Sequence, residues 1–465
     1  MAAAAADDGD WQGVENDVTD PEELGVIHAA LDSFFQYSRV AHFNSTHLRR
    51  QSFYALPQAH WRLLAAPPFS FLETLDRVDE AIDGNAELGR AIATAGIRSF
   101  HMQPQSAAAN AATDAGMAAA AATTTACVLP VISGPWTGAA KPSDMDKARS
   151  TLRQFYRDWS AEGAREREAS YGPVKRFLEE ERGRVSQRPS SPARAGGGNN
   201  IPIAPAIEED ASSPAPPLKV LVPGAGLGRL VFDLCDLGYE VEGNEISYHQ
   251  LLASAYVLNR APRAGCHRIY PWIQTFSNHR SRANQLRSYA IPDVHPATRL
   301  GTAPARPGGS MSMTAADFLC LYEQDDQLGR FDAVATVFFL DTAPNLVRYL
   351  SCIRGCLREG GVLVNVGPLL WHFENSAPGN RGHDDDGDGE HDPAASTGIA
   401  DPGSFELTED EVLALVERVG FEIVRRDEDE GLEAPYIQDP DSMLRTVYRP
   451  SSWVARKRAG WRGEV

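Results

Sequence analysis

The sequence predicts an α/β protein, a doubly wound parallel sheet preceded by a helical N-terminal region. Three observations point there. From residue 218 onward, short apolar runs alternate with segments of helical periodicity. The first run feeds a glycine-rich turn, Pro223-Gly224-Ala225-Gly226-Leu227-Gly228, that opens a helix. Ahead of it, residues 20–184 carry helix start signals and amphipathic stripes.

In chain order, Pro21-Glu22-Glu23-Leu24 opens a first helix, and residues 71–97 carry a second apolar stripe. Residues 143–183 read as one amphipathic helix, with Leu152, Phe155, Trp159 and Tyr171 on its apolar face. Then follow strand 218–223, helix 227–237, strand 240–245 and helix 248–258. A small strand spans 311–315, a longer one 331–339, and a helix 345–357. Strand 362–366, helix 409–419 and strands 421–426 and 451–456 close the sheet. Such alternation implies parallel strands.

Three stretches interrupt this pattern. Residues 103–125 are rich in Ala, Thr and Asn, and the region 103–142 reads as partly low complexity. Residues 185–216, rich in Ser, Pro, Gly and Ala, read as a disordered linker. Residues 376–403 hold Asp384-Asp385-Asp386-Gly387-Asp388, an acidic surface insertion that lacks the spacing and closing Glu of an EF-hand. The expected organisation is a disordered terminus at 1–19, a helical region at 20–184, the linker, and a sheet domain at 217–465.

The 465 residues carry a formal net charge of −19. That field repels phosphates, so a nucleic-acid groove is disfavoured. Of the six cysteines, Cys127, Cys235, Cys266, Cys320, Cys352 and Cys356, only the last two lie close, at helical i, i+4 spacing, and with no second ligand pair nearby no metal site is expected. They read as reduced core thiols, which implies a reducing compartment. Residues 1–11 lack the basic start of a signal peptide, and no apolar run is long enough to span a membrane. Cytosol is the expected location, with the nucleus as the other.

Glycines let a backbone approach a ligand closely, and a helix N-terminus favours negative charge. Glu245 ends the second strand, where a carboxylate can accept both ribose hydroxyls of a nucleotide. Arg229 stands where a dinucleotide-binding loop has its third glycine, which turns the loop away from NAD. An ordinary strand–turn–helix without ligand fits the glycines alone.

Longer strings decide further. Val222-Pro223-Gly224-Ala225-Gly226-Leu227-Gly228-Arg229-Leu230, then Gly243-Asn244-Glu245, resemble the carnosine N-methyltransferase family. So do Tyr270-Pro271-Trp272-Ile273, Phe276-Ser277-Asn278, Ser312-Met313-Thr314-Ala315-Ala316-Asp317-Phe318, Phe338-Phe339-Leu340-Asp341-Thr342-Ala343 and Gly367-Pro368-Leu369-Leu370-Trp371-His372-Phe373-Glu374-Asn375. The resemblance implies a Rossmann-like class I methyltransferase sheet, S-adenosylmethionine as methyl donor, and a small imidazole dipeptide as acceptor. It also allows a homodimer. The cofactor site it implies is Gln154, Arg157, Gly224, Glu245, Asp317 and Phe318, with Val337 lining it. Read bottom-up, Arg157 could pair with the methionine carboxylate or make ordinary helix salt bridges.

The acceptor residues implied by the resemblance are Asp341, His372 and Tyr448. Asp341 and His372 follow two successive strands, and ligands of open α/β sheets bind at such carboxyl ends. A free imidazole must present a lone pair, with its other nitrogen hydrogen-bonded, and must shed a proton after transfer. His372 is assigned that proton and Asp341 a polar or cationic substrate group, and the two roles could be exchanged. Tyr448 supplies a hydrogen bond. Structurally, Asp341 could instead N-cap a helix starting near residue 343, and Tyr448 could be core. The alternative function is a histidine-directed methyltransferase acting on another small imidazole or on a protein or peptide histidine.

Overall fold

The computed structural model describes residues 20–100, 134–186, 217–302, 304–306, 308–374, 403–427 and 433–461. Apart from their edges, the segments 1–19, 103–125, 185–216 and 376–403 lie outside these residues.

Seven strands form the main sheet: β1 (Lys219–Pro223), β2 (Glu240–Glu245), β3 (Ser310–Ala315), β4 (Phe331–Val337), β5 (Leu357–Gly367), β6 (Phe421–Arg426) and β7 (Ser451–Lys457). Their order is β3-β2-β1-β4-β5-β7-β6. The first five pair in parallel. Correcting the expectation of a wholly parallel sheet, β7 runs antiparallel to both β5 and β6. Residues 427–450 carry the chain from β6 to its neighbour β7, and this return to an adjacent strand enters the sheet in the opposite sense.

The strands split their side chains between two cores with a period of two. Val220 and Val222 of β1, Ala333 and Ala335 of β4, and Val362, Val364 and Val366 of β5 face one side. Leu221, Val334 and Leu363 face the other. Both faces are covered, as parallel strands require.

The first face is covered by α1 (Pro21–His42), α2 (Phe71–Ser99), α3 (Pro142–Trp159), α4 (Ala164–Ser186), α5 (Arg229–Asp236) and α6 (Tyr248–Ala255). The opposite face carries α7 (Phe318–Tyr322), α8 (Leu346–Cys356) and α9 (Glu409–Arg418). Start signals in the sequence work as caps. The Asp20 carboxylate accepts the Glu22 N–H ahead of Pro21, and Thr408 with Glu411 forms a capping box on α9. Two helices that the sequence reading did not separate, Leu48–Tyr54 and Gln58–Ala65, connect α1 to α2.

The single helix expected over 143–183 is two. α3 ends at Trp159, and the chain turns through Ser160 to Gly163. Ser160 Oγ donates to the Tyr156 carbonyl and accepts the Gly163 N–H. Arg167 Nη1 donates to the carbonyls of Arg157 and Ser160, satisfying the free end of α3. The turn requires Gly163, because a Cβ there would lie 2.2 Å from the Tyr156 carbonyl oxygen. Trp159 Nε1 then donates to the Leu227 carbonyl, which ties α3 to the glycine loop.

Candidate active site

The glycine turn leaves β1 with Gly224, Gly226 and Gly228 at φ of 65°, 59° and 73°. Side chains rarely adopt that left-handed region. A Cβ on Gly224 would also meet the Phe339 ring at 2.8 Å, and one on Gly226 the Gln250 amide oxygen at 2.9 Å. The backbone is therefore bare toward a cleft of about 380 Å³. That volume suits a nucleotide-sized ligand.

All seven residues assigned to the cofactor line this cleft: Gln154, Arg157, Gly224, Glu245, Asp317, Phe318 and Val337. Glu245 is buried at the end of β2. Its Oε2 accepts the Gly226 N–H, and Oε1 accepts those of Ile246 and Ser247, each at 2.9 Å. Burial pushes its carboxyl up, against these three N–H groups that favour the anion. A carboxylate offers about four acceptor positions, so one remains for a ligand hydroxyl. Asp317 caps α7 through Oδ1, which accepts the Cys320 N–H at 3.0 Å. Phe318 stacks on Tyr349 and meets Phe339 edge-on, an aromatic wall for a flat ring.

Arg157 is held more firmly than its sequence position suggested. Its Nε and Nη2 bind both oxygens of Asp158, at 2.7 and 3.0 Å. Gln154 Nε2 and Tyr171 Oη donate to the same carboxylate. Asp158 is 1% exposed. Burial pushes its carboxyl up, but the Arg157 guanidinium and the added donors outweigh that and bring it down. The sequence reading did not single out Asp158, and it placed Tyr171 only on an apolar helix face; the i, i+4 spacing of Gln154 and Asp158 is the signal that could have found the former.

The three acceptor residues do not meet at one point. His372 lines the cleft beside Phe373 and Phe338. Asp341 lies behind it, buried in a turn at Leu340–Thr342. Its Oδ2 accepts the Leu370 N–H at 2.9 Å, and its backbone carbonyl accepts the His372 N–H at 3.1 Å. Burial pushes its carboxyl up, and the Leu370 N–H and nearby His372 oppose that. It does not cap the following helix, which begins at Leu346 with Asn345 as its cap. Strand β4 also ends earlier than expected, at Val337. Phe338 turns out of it at φ 54°, which aims the 338–342 segment along the cleft.

Tyr448 sits on the far side of Phe338. It lines a neighbouring open cavity with Glu409, Arg426 and Arg449. Its ring meets Phe338 edge-on at 5.7 Å and Tyr436 at 6.4 Å. Tyr436 lines the main cleft, with the Arg157 guanidinium 4.9 Å from its ring centre. No sequence signal marked it.

The competing NAD reading fails on Arg229. Its guanidinium is buried between Asp233 and Asp293, over the Trp159 ring, and donates to the Asp158 carbonyl. This sheet order, with a bare glycine turn after β1 and a carboxylate ending β2, defines a class I S-adenosylmethionine-dependent methyltransferase. Among solved structures, the chain is similar to an S-adenosylmethionine-dependent methyltransferase from Methanosarcina mazei, at 17% identity and a TM-score of 0.31, covering 52% of this chain and 94% of that one. The profile of the carnosine N-methyltransferase family matches residues 135–193 and 199–459. Carnosine N-methyltransferase of Schizosaccharomyces pombe is 33% identical over 94% of this chain and 97% of its own. The Mus musculus protein of the same name is 31% identical, over 94% of this chain and 88% of its own. The chain belongs to the carnosine N-methyltransferase family.

Among the described residues, no group of His, Cys, Asp and Glu could hold a metal ion. No described helix is long and apolar enough to cross a membrane.

Proposed function

We propose that the protein transfers a methyl group from S-adenosylmethionine to an imidazole nitrogen of carnosine, giving anserine and S-adenosylhomocysteine. The family match over nearly the whole chain carries this reading. The placement of all seven cofactor residues and His372 on one cleft supports it. When bound, S-adenosylmethionine supplies an electrophilic methyl carbon whose leaving group is a neutral thioether. The protein's own work is to hold and orient. Glu245 would accept one ribose hydroxyl at its remaining acceptor position, and Asp317 and Phe318 would take the adenine. Arg157 and Gln154 face the methionine end.

On the acceptor side, His372 takes the proton from the imidazole nitrogen that is not methylated. Asp341 is already bonded to Leu370 and fixes the turn that carries His372. That favours a positioning role for Asp341 over direct contact with the substrate. Tyr448 bounds the acceptor space from beyond Phe338. A homodimer and a cytoplasmic or nuclear location complete the reading.

The test is labelled methyl transfer to carnosine, homocarnosine, histidine and histidine-containing peptides. Carnosine should be the preferred acceptor. His372→Ala should lower kcat about 100-fold or more, the scale of a lost general base, with S-adenosylhomocysteine affinity unchanged. A peptide preferred over carnosine would move the assignment to the alternative acceptor, and a near-normal rate in His372→Ala would remove His372 from the chemistry.

A further inference from the structure

The hairpin that carries both tyrosines is held from outside the sheet domain. Residues Ala434–Pro435 pair with Val447–Tyr448, and the chain between them starts with Tyr436 and Ile437. Ile437 is buried at φ 48°. For a β-branched residue this conformation is a genuine outlier, and it persists only where its surroundings enforce it.

The enforcing groups come from α3 and α4. Glu166 Oε2 accepts the Ile437 N–H and Oε1 accepts the Gln438 N–H, both at 2.8 Å. Arg153 Nη2 donates to the Ile437 carbonyl at 2.9 Å. Three backbone groups around one strained residue are thus gripped by two side chains from the N-terminal helices. Glu166 is 5% exposed, a costly placement for a carboxylate that these two backbone N–H groups offset.

The consequence falls one residue away. With Ile437 turned inward, the Tyr436 ring lies over Arg157 and 5.3 Å from the Phe338 ring, and Tyr448 packs against both aromatic rings. Helix α3 therefore serves two sides at once. Gln154 and Arg157 face the cofactor, and Arg153 grips the tyrosine hairpin.

We infer that Glu166, with Arg153, is a positioning residue for the acceptor side of the site, holding Ile437 in the left-handed conformation that sets Tyr436 in the wall of the cleft, with Tyr448 packed behind it. The inference rests on the proposed methyl transfer for its kinetic readout. Glycine adopts the left-handed conformation without strain. A chain with Ile437→Gly should therefore need the clip less.

The test compares the full-length protein with Glu166→Gln, Ile437→Gly and the double variant. Glu166→Gln should raise the acceptor KM about tenfold, keep kcat within about threefold and leave S-adenosylhomocysteine affinity within twofold. The double variant should recover most of the lost KM. Hydrogen exchange at residues 434–448 should speed up in Glu166→Gln and not at 219–245. An unchanged KM, a parallel loss of cofactor affinity, or no recovery in the double variant overturns the inference. If the unaltered protein does not methylate carnosine, the proposed function fails instead. The exchange rates then decide the clip on their own: unchanged exchange at 434–448 overturns it, and faster exchange confined there sustains it.

Discussion

Asp158 shows what one buried carboxylate can organise. Four donor atoms converge on its two oxygens: two from Arg157, one from Gln154 and one from Tyr171. Removing one partner of a buried pair costs about 3–5 kcal/mol, because the other charge is left uncompensated. Asp158→Asn keeps the shape and removes the charge. The guanidinium would then lose its bidentate partner, and with it a fixed direction. We expect S-adenosylhomocysteine to bind about tenfold more weakly to this variant, a loss of about 1.4 kcal/mol by calorimetry. Wild-type affinity in a folded Asp158→Asn would show that Arg157 is oriented by something else. The pair also explains a limit of the sequence reading. Arg157 was legible as either a ligand group or a salt-bridge partner, and it is both a cleft residue and an ion-pair member.

At the scale of elements, Glu181 on α4 joins the N-terminal helices to β7. Arg184 and Arg456 each reach both of its oxygens. Burial pushes this carboxyl up, but the hydrogen bonds and charges of the two arginines outweigh it and bring the pKa down to about 2. The folded value lies below the ordinary 4.5. The stabilisation is therefore complete above about pH 4.5 and is lost as pH falls toward 2. Its size is on the order of 2 kcal/mol once solvent around the half-open Arg184 is allowed for. Urea unfolding of the protein and of Glu181→Gln should differ most at pH 7 and converge only as pH approaches about 2. A gap that stays constant with pH would mean that Glu181 acts through packing alone. Elements of this kind were unevenly legible in the sequence. Strand β2 was read with its observed limits, because Gly238 closes the helix before it and the Glu245 carboxylate marks its end in register with the glycine turn. The break between α3 and α4 was not. Arg165 to Glu168 continues a helical charge pattern, and Gly163 alone does not distinguish a tolerated helix glycine from an obligatory turn. The antiparallel sense of β7 depends on which strands lie beside it, and no local pattern records that. Likewise the glycine turn and Glu245 announced the cofactor side, whereas Glu166 and Tyr436 acquire meaning only when the chain returns from residue 433.

The whole molecule joins its helical region to the sheet through one continuous core. Ile27, Leu31 and Phe34 of α1 belong to the same buried cluster as Leu152, Phe155 and Trp159 of α3, Val220 of β1 and Val454 of β7. The contact is polar as well, since Trp159 donates to Leu227 and Arg167 pairs with Asp293. The N-terminal helices thus act as one wall of the catalytic domain, and their Gln154 and Arg157 line its cleft. Chains beyond about 150 residues commonly unfold in several steps. A shared core predicts otherwise for the described portion of this one. Calorimetry should give a single main transition whose calorimetric and van't Hoff enthalpies agree. Trp159→Ala should lower its midpoint, because Phe/Trp→Ala changes in a core cost about 3–5 kcal/mol. Near-ultraviolet dichroism, which follows the aromatic core, and far-ultraviolet dichroism, which follows the helices, should shift together in that variant. Two separated transitions, with only the earlier one moved by Trp159→Ala, would show instead that the helices unfold independently of the sheet they cover.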